Sequence, residues 1–379
     1  MSDTHVLRPW LEQRAERIEQ LCEAHRLRVR VLGGVVTPRL VRFHLAVDPT
    51  LPLRRLMALE EELALALEVA SARIVRREGI LSLEVPRPQP AYLSLLRTLA
   101  DLPPLPPYTA LLGRDAEGSP LLLRLPSPDV SHILVAGTTG SGKTALARTV
   151  LVSLALANHP DALRLLLIDP KGQGFAPFAG LPHLVGPVLD SGQRAAERLG
   201  WLLEEMASRE ARALREPRVV VAVDEVADLL CEHPEVGEPL TRLAARGRGA
   251  GIHLLLCTQK PTAEALGSLL RANLPCRIVG RVVSAQEAAL ATGLRGTGAE
   301  RLMGRGDFLL IAGGEVVRFQ AAYVSAAEIV TLVEGLQQEI AAEQQGSKAP
   351  ASGVGRLRAL VQGALGRLAG AAGRRVASR

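Results

Sequence analysis

The chain has 379 residues, 47% of them hydrophobic but only 3% aromatic, and a net charge of +6. That leaves room for one large domain and a smaller one with aliphatic cores, and argues against the aromatic platforms that stack single-stranded nucleic acid. No uncharged apolar run reaches the roughly 18 residues of a membrane span, and neither the four cysteines nor the eight histidines show metal-ligand spacing.

In chain order, Met1 to Arg8 is polar and carries no secretory signal. With the cysteines read as reduced thiols, this points to the cytoplasm. Residues 9–26 have helical spacing behind a proline, and 28–32 and 40–47 alternate with the period of half-buried strands. A helix is expected over 53–70 and a hairpin from 72–76 to 80–85. These elements predict a small α+β domain over residues 1–105, closed by the proline-rich run Leu102–Pro107, a linker by composition. From 106 to 345, apolar runs at 133–136, 164–168, 218–223, 252–257, 276–282 and 307–312 alternate with helical segments. That pattern predicts an α/β domain with a mainly parallel sheet. A last helix is expected over 325–344.

Residues 346–379 are expected to be a flexible basic tail, with a glycine-weakened helix over 356–370. The tail holds Lys348, Arg356, Arg358, Arg367, Arg374, Arg375 and Arg379 and no acidic residue, so the body of the chain is close to neutral. It suits nucleic acid, an acidic membrane surface or a protein partner, and equally a solubilising end.

Gly137-Thr138-Thr139-Gly140-Ser141-Gly142-Lys143-Thr144 matches the P-loop pattern G-x-x-x-x-G-K-[ST] in full. It stands between an apolar strand and a helix-forming segment, where backbone N–H groups and a helix N-terminus converge on a polyphosphate. Lys143 is then placed for the β- and γ-phosphates and Thr144 for Mg²⁺, so ATP and Mg²⁺ are the implied cofactors. The plain alternative is a glycine-rich turn that happens to carry Lys-Thr. Against it stands the scarcity of lysine: Lys143, Lys171, Lys260 and Lys348 are the only four, and arginine fills the other basic positions. A lysine kept at this point suits a role that needs a compact ammonium.

Downstream, the apolar run 218–223 ends in Asp224-Glu225. Asp224 is assigned to Mg²⁺ through water, and Glu225 to polarising the attacking water in line with the γ-phosphate. Taken alone, two acids would also suit a helix N-terminus. Gln259, at the tip of 252–258, is a candidate γ-phosphate sensor, or simply a turn residue before Pro261. Lys171 in Asp169-Pro170-Lys171-Gly172 is either a turn residue or a functional lysine.

Several phrases in one order resemble the soluble motor of the FtsK/SpoIIIE family of DNA translocases. They are His132 through Thr144, Ile168–Lys171, Gly180–Leu184, Trp201 through Met206, Val223–Glu225 with Ala227–Leu229, Gly251–Leu254, Thr258–Pro261, Ala272–Pro275 and Gly304–Asp307. The similarity covers roughly residues 12–335, and Val36–Phe43 and Leu63–Leu67 resemble the family's α subdomain. The resemblance implies a RecA-like P-loop ATPase core forming a homo-oligomer, a hexameric ring around double-stranded DNA that hydrolyses ATP at subunit interfaces. It places the arginine donated by a neighbouring subunit on Arg248, with Arg209 as second candidate, and the DNA-gripping contacts on Thr258, Lys260 and Arg271. Two further positions that are usually basic are Ala285 and Ala289 here, and Arg281 is the residue available to compensate. Membrane helices before the motor and a winged-helix domain after it, found in cell-division members of the family, are not expected. Two other readings stay open: a coupling ATPase for conjugative DNA transfer or type VII-like secretion, and a slowly cycling, nucleotide-gated DNA-binding scaffold.

Overall fold

The computed structural model describes residues 3–37, 40–77, 79–88, 91–345 and 360–367. It divides into two units, Met1–Tyr92 and Leu93–Arg379.

The first unit runs α1 (Asp3–Ala24), β1 (Val29–Val36), β2 (Leu40–Val47), α2 (Leu53–Met57), α3 (Glu60–Ala66), β3 (Arg73–Arg77) and β4 (Ile80–Pro86). Its strands form an antiparallel sheet in the order β1-β2-β4-β3. Alternation along β2 and β4 puts Val41, Phe43, Leu45, Leu81, Leu83 and Val85 into one core with Ile18, Leu56 and Leu63. Arg42 and Glu84, paired in register, make a buried ion pair at 3.1 Å. The helix expected over 53–70 is two short helices. The carboxylate of Glu60 accepts from the Ile74 amide at 2.8 Å, which ties the start of α3 to β3.

The second unit continues with β5 (Leu93–Ser94), α4 (Leu95–Asp101), β6 (Thr109–Asp115), β7 (Pro120–Arg124), β8 (Ile133–Ala136), α5 (Lys143–Ala157), β9 (Leu163–Ile168), α6 (Gly192–Ala211), β10 (Arg218–Val223), α7 (Val226–Glu232), α8 (Gly237–Arg246), β11 (Ile252–Thr258), α9 (Ala263–Leu266), α10 (Ser268–Ala272), β12 (Cys276–Val279), α11 (Ala285–Thr292), β13 (Asp307–Ala312), β14 (Glu315–Tyr323) and α12 (Ala326–Gln344). The sheet order is β7-β6-β14-β13-β12-β8-β11-β10-β9, with β5 pairing β14. From β12 to β9 all pairs are parallel; from β12 to β7 they are antiparallel. The fold is thus α/β with a mixed, largely parallel central sheet, preceded by a small antiparallel α+β unit.

Strands buried on both faces are near-continuously apolar; every residue of β8 and β11 is buried, with His253 and Thr258 the polar residues among them. Alternate side chains serve two cores. Leu134, Val221 and Leu254 pack with α6, α7 and α8. Val135, Val220 and Leu255 pack with α5 and α12.

The boundary between the units precedes the proline-rich run expected to mark it. Leu93-Ser94 pairs with Ala322-Tyr323, and Leu95, Leu96 and Leu99 lie in the main core, so residues 93–105 belong to the second unit. In the tail, residues 360–367 are helical, and Leu360, Val361 and Ala364 are buried in the same core as Leu332 and Leu336 of α12. Lys348, Arg356, Arg358, Arg374, Arg375 and Arg379, on which the expected basic surface chiefly rests, lie outside the described residues. No described helix is long and apolar enough to cross a membrane.

Leu254 is fully buried midway along β11. Leu254→Ala is expected to cost about 2–5 kcal/mol, read as a lowered denaturation midpoint in urea with an unchanged slope.

Candidate nucleotide site

Parallel strands end on the same side, so the loops after β8, β9, β10, β11 and β12 share one edge of the sheet, where open α/β sheets bind ligands. The loop after β8 is the glycine-rich motif. Gly137, Gly140 and Gly142 hold positive φ of 148°, 79° and 103°, a backbone open to glycine and costly for other residues. Lys143 opens α5 with its side chain 5% exposed and its Nζ donating to the Thr138 carbonyl at 3.4 Å.

Two strands away, β10 presents Asp224 and Glu225. The Thr144 hydroxyl donates to the Asp224 carboxylate, 3.2 and 3.1 Å from its two oxygens. Burial raises the Asp224 pKa. The Thr144 hydrogen bond opposes this, and the charges of Asp169 and Glu225 add to the rise. The loop above leaves little space, because a Cβ at Gly174 would lie 2.4 Å from Asp224 Oδ2. Arg148 holds that loop, donating to the carbonyls of Gln173 and Gly174 at 2.6 Å each.

A hydroxyl and a carboxylate beside crowded acidic charge make a hard, oxygen-donor site. Asp169, 1% exposed, gives one oxygen to the Phe175 amide and leaves the other buried without a partner. Among the described residues no three His, Cys, Asp or Glu side chains converge as a metal cluster. Mg²⁺ does not require one, since it takes one or two carboxylates and leaves the remaining positions to water and phosphate. Thr144 and Asp224 fit it.

Glu225 stands at φ 53°, ψ 56°, a left-handed backbone that costs a non-glycine residue free energy and tends to mark functional positions. Its Oε1 lies 3.5 Å from Lys143 Nζ and accepts from Gln259 Nε2 at 3.0 Å. Its Oε2 accepts from the Gln259 amide at 3.2 Å. Gln259 Oε1 in turn accepts from the Thr139 hydroxyl at 2.8 Å. A continuous chain of contacts therefore runs Thr139–Gln259–Glu225–Lys143 across the tips of β8, β11 and β10.

Lys171, after β9, donates to Asp228 at 2.7 Å, and that bond is the main cause of its raised pKa. Arg281, after β12, is exposed, and its carbonyl accepts from the Thr138 amide and hydroxyl at 2.8 and 3.1 Å. With Val283, Met303 and Arg305 it walls a cavity of about 370 Å³ against the P-loop. Arg281 thus sits at the nucleotide side of the edge.

The other predicted DNA contacts do not form one cationic surface. Thr258 is fully buried, and its hydroxyl accepts from the Lys260 amide. Arg271 is partly buried and donates to the Leu290 carbonyl at 2.6 Å, fastening α10 to α11. Lys260 is exposed. Ala285 is exposed on α11 next to Gln286 and Glu287, so that turn offers no positive charge.

Arg248 lies on the turn Gly247–Ala250 before β11 and is exposed. Its charge acts on His132 and His253 at the starts of β8 and β11. His132 is pushed down to about 3, by burial first and then by His253 and Arg248. His253 is pushed down to about 4, again mainly by burial, against a hydrogen bond to the Ser131 carbonyl that favours the proton. Arg209 is 5% exposed and spends its guanidinium on Glu205 and two backbone carbonyls, so it is not available to a neighbouring molecule.

Sequence reasoning missed Asp169 and Arg148. The first was within view in Asp169-Pro170-Lys171, where the lysine drew the attention. The second sits in α5 with no local signal.

The chain matches the FtsK/SpoIIIE family over residues 105–218 and 206–263, and the FtsK alpha domain over residues 2–87. The chain belongs to the FtsK/SpoIIIE family. It is 31% identical over 361 residues to the DNA translocase SftA of Bacillus subtilis (strain 168), covering 87% of this chain and 38% of that protein. It is 30% identical over 375 residues to the DNA translocase FtsK of Sporosarcina ureae, covering 90% of this chain and 48% of that one. The chain thus spans less than half the length of either relative. Among solved structures it is similar in fold to the pCW3 conjugation coupling protein TcpA, with a TM-score of 0.58, 20% identity, and coverage of 86% of this chain and 99% of that one. It is also similar to the cytoplasmic domain of the type VII secretion ATPase EccC of Thermomonospora curvata, with a TM-score of 0.56, 27% identity, and coverage of 65% and 34%. Both family matches agree with the two observed units, and the family's P-loop motif is the loop after β8.

A buried carboxyl whose pKa is raised in the folded state destabilises the nucleotide-free protein wherever it is ionised, and the penalty is relieved as pH falls through the folded-state pKa. Asp224→Asn is therefore expected to melt at a higher temperature than wild type at neutral pH. That gain should disappear in acid, where both folded and unfolded carboxyls are protonated. Differential scanning calorimetry across pH checks both signs.

Proposed function

We propose that this chain is the ATP-hydrolysing motor of a double-stranded DNA translocase that works as a ring of identical subunits. The observation that carries the reading is Glu225, held between Lys143 and Gln259 at the tip of β10. A site that only bound nucleotide would have no need of a carboxylate aimed across the P-loop lysine.

An entering triphosphate offers its oxygens to the P-loop amides and to Lys143 Nζ, which leaves Glu225 for the phosphate. Gln259 then exchanges the bond from its Nε2 to Glu225 for one to a γ-phosphate oxygen. Glu225, freed at Oε1 and still held at Oε2 by the Gln259 backbone amide, is left to orient a water in line with that phosphate and take the water's proton. Thr144 and Asp224 would hold Mg²⁺, which neutralises charge on the β- and γ-oxygens. Without nucleotide the same carboxylate is occupied, so the resting site is inactive by construction.

Arg248 supports the ring. It precedes β11, whereas Gln259 follows it, and seven residues of strand separate the two by roughly 20 Å. Arg248 therefore cannot serve its own P-loop and can complete a nucleotide site only on another copy. DNA as substrate rests on family membership and on Lys260, an exposed ammonium next to Gln259 that would link a phosphate grip to the γ-phosphate sensor. The likeness to EccC keeps a protein-transporting ATPase as the second reading.

Turnover of ATP measured with and without long linear duplex DNA separates these readings. Wild type is expected to be stimulated several-fold by duplex, and Glu225→Ala to lose about a hundredfold or more in turnover while still binding ATP. Stimulation by a protein substrate in place of DNA would favour the second reading, and negligible turnover throughout would reduce the chain to a nucleotide-gated scaffold.

A further inference from the structure

We propose that Arg209 is a positioning residue for Arg248, fixing the turn that offers Arg248 to the next copy; this rests on Arg248 acting between subunits. Arg209 stands in the last turn of α6, buried beneath the turn Gly247–Ala250. Its Nε donates to Glu205 at 2.6 Å, and its Nη1 donates to the carbonyls of Pro217 at 2.6 Å and Ala250 at 3.2 Å. One planar guanidinium thus joins α6, the entry to β10 and the Arg248 turn. A lysine could not span those directions at once. Apolar side chains would fill such a space at lower cost, because burying a charge is expensive even when it is paired. What the guanidinium adds is geometry.

Two further contacts fasten the same turn to the same helix end. Arg246, which leads into the turn, pairs with Glu210, the neighbour of Arg209. Gly251, which closes the turn at φ 72°, runs so close to the chain leaving α6 that a Cβ there would lie 2.0 Å from the Arg215 carbonyl oxygen. Arg248 is therefore an exposed side chain on a turn held from three sides. Among the described residues it has no carboxylate partner of its own. The backbone that carries this cation is thus held in place, and its side chain is left exposed to meet a phosphate on a separate molecule.

A residue that supports Arg248 must act on the neighbour's active site and not on its own. Arg209→Lys is expected to lower ATP turnover by roughly tenfold to a hundredfold, with the KM for ATP changed by less than about twofold. The deciding measurement mixes subunits. Lys143→Ala subunits cannot hydrolyse but still present Arg248 correctly, whereas Arg209→Lys subunits keep a sound P-loop. Mixed one to one, the two impaired proteins should give more turnover than the sum of each alone, as should Arg248→Ala mixed with Lys143→Ala. Recovery with Arg248→Ala but not with Arg209→Lys would overturn the proposal and leave the inter-subunit role of Arg248 standing. Recovery with neither would remove that role and this proposal with it, and full activity of Arg209→Lys alone would also overturn it. Arg246→Gln, which loosens the turn at an exposed pair, should show the same recovery at smaller amplitude if Arg209→Lys fails to fold; its failure to do so would count against the proposal.

Discussion

The parallel pairing of β12, β8, β11, β10 and β9 is the constraint from which the site follows. Parallel strands have a common direction, so five unrelated loops are delivered to one edge of the sheet with no side chain needed to gather them. The P-loop, Asp169, Asp224-Glu225, Gln259 and Arg281 owe their common edge to the backbone pairing of the strands. The cost is that the strands must be largely apolar on both faces, which is why the polar chemistry gathers at and beyond their tips.

That cost made the site legible in sequence. A largely aliphatic run that ends abruptly in Asp224-Glu225 or near Gln259 announces both the strand and its tip. The antiparallel half was harder to read, since β6, β7 and β14 are partly exposed and mix Arg, Glu and Gln with their apolar residues. The domain boundary was misplaced for a related reason. Prolines signal a break in regular structure, but Leu93-Ser94 had already joined the sheet through a pairing with Ala322-Tyr323, more than two hundred residues away. The fate of individual arginines was the least legible. Nothing local distinguishes Arg209, buried on three acceptors, from Arg248, exposed beside it, or shows that Arg271 serves a backbone carbonyl.

The lysines gain meaning from the same edge. Lys143, Lys171 and Lys260 follow β8, β9 and β11, so the body's three lysines all stand where the sheet meets its ligands, while arginine takes the structural and surface positions. The edge is also poor in stability. Asp224 is buried among other carboxylates, Asp169 leaves an oxygen unmatched, and Glu225 holds a strained backbone. Strain concentrated at one rim of an otherwise well-packed sheet is what a site looks like when its ligand supplies the missing charge.

β11 has a mechanical consequence. It begins beside Arg248 and ends beside Gln259, with all seven of its residues buried and a parallel neighbour on each side. A strand so enclosed is held in register by both neighbours, so its two ends are rigidly joined. In the proposed ring, Gln259 at one end of this strut would face a subunit's own γ-phosphate, and Arg248 at the other would face the adjacent subunit's nucleotide. The two groups would then report on one another through a rigid strand, across the subunit boundary.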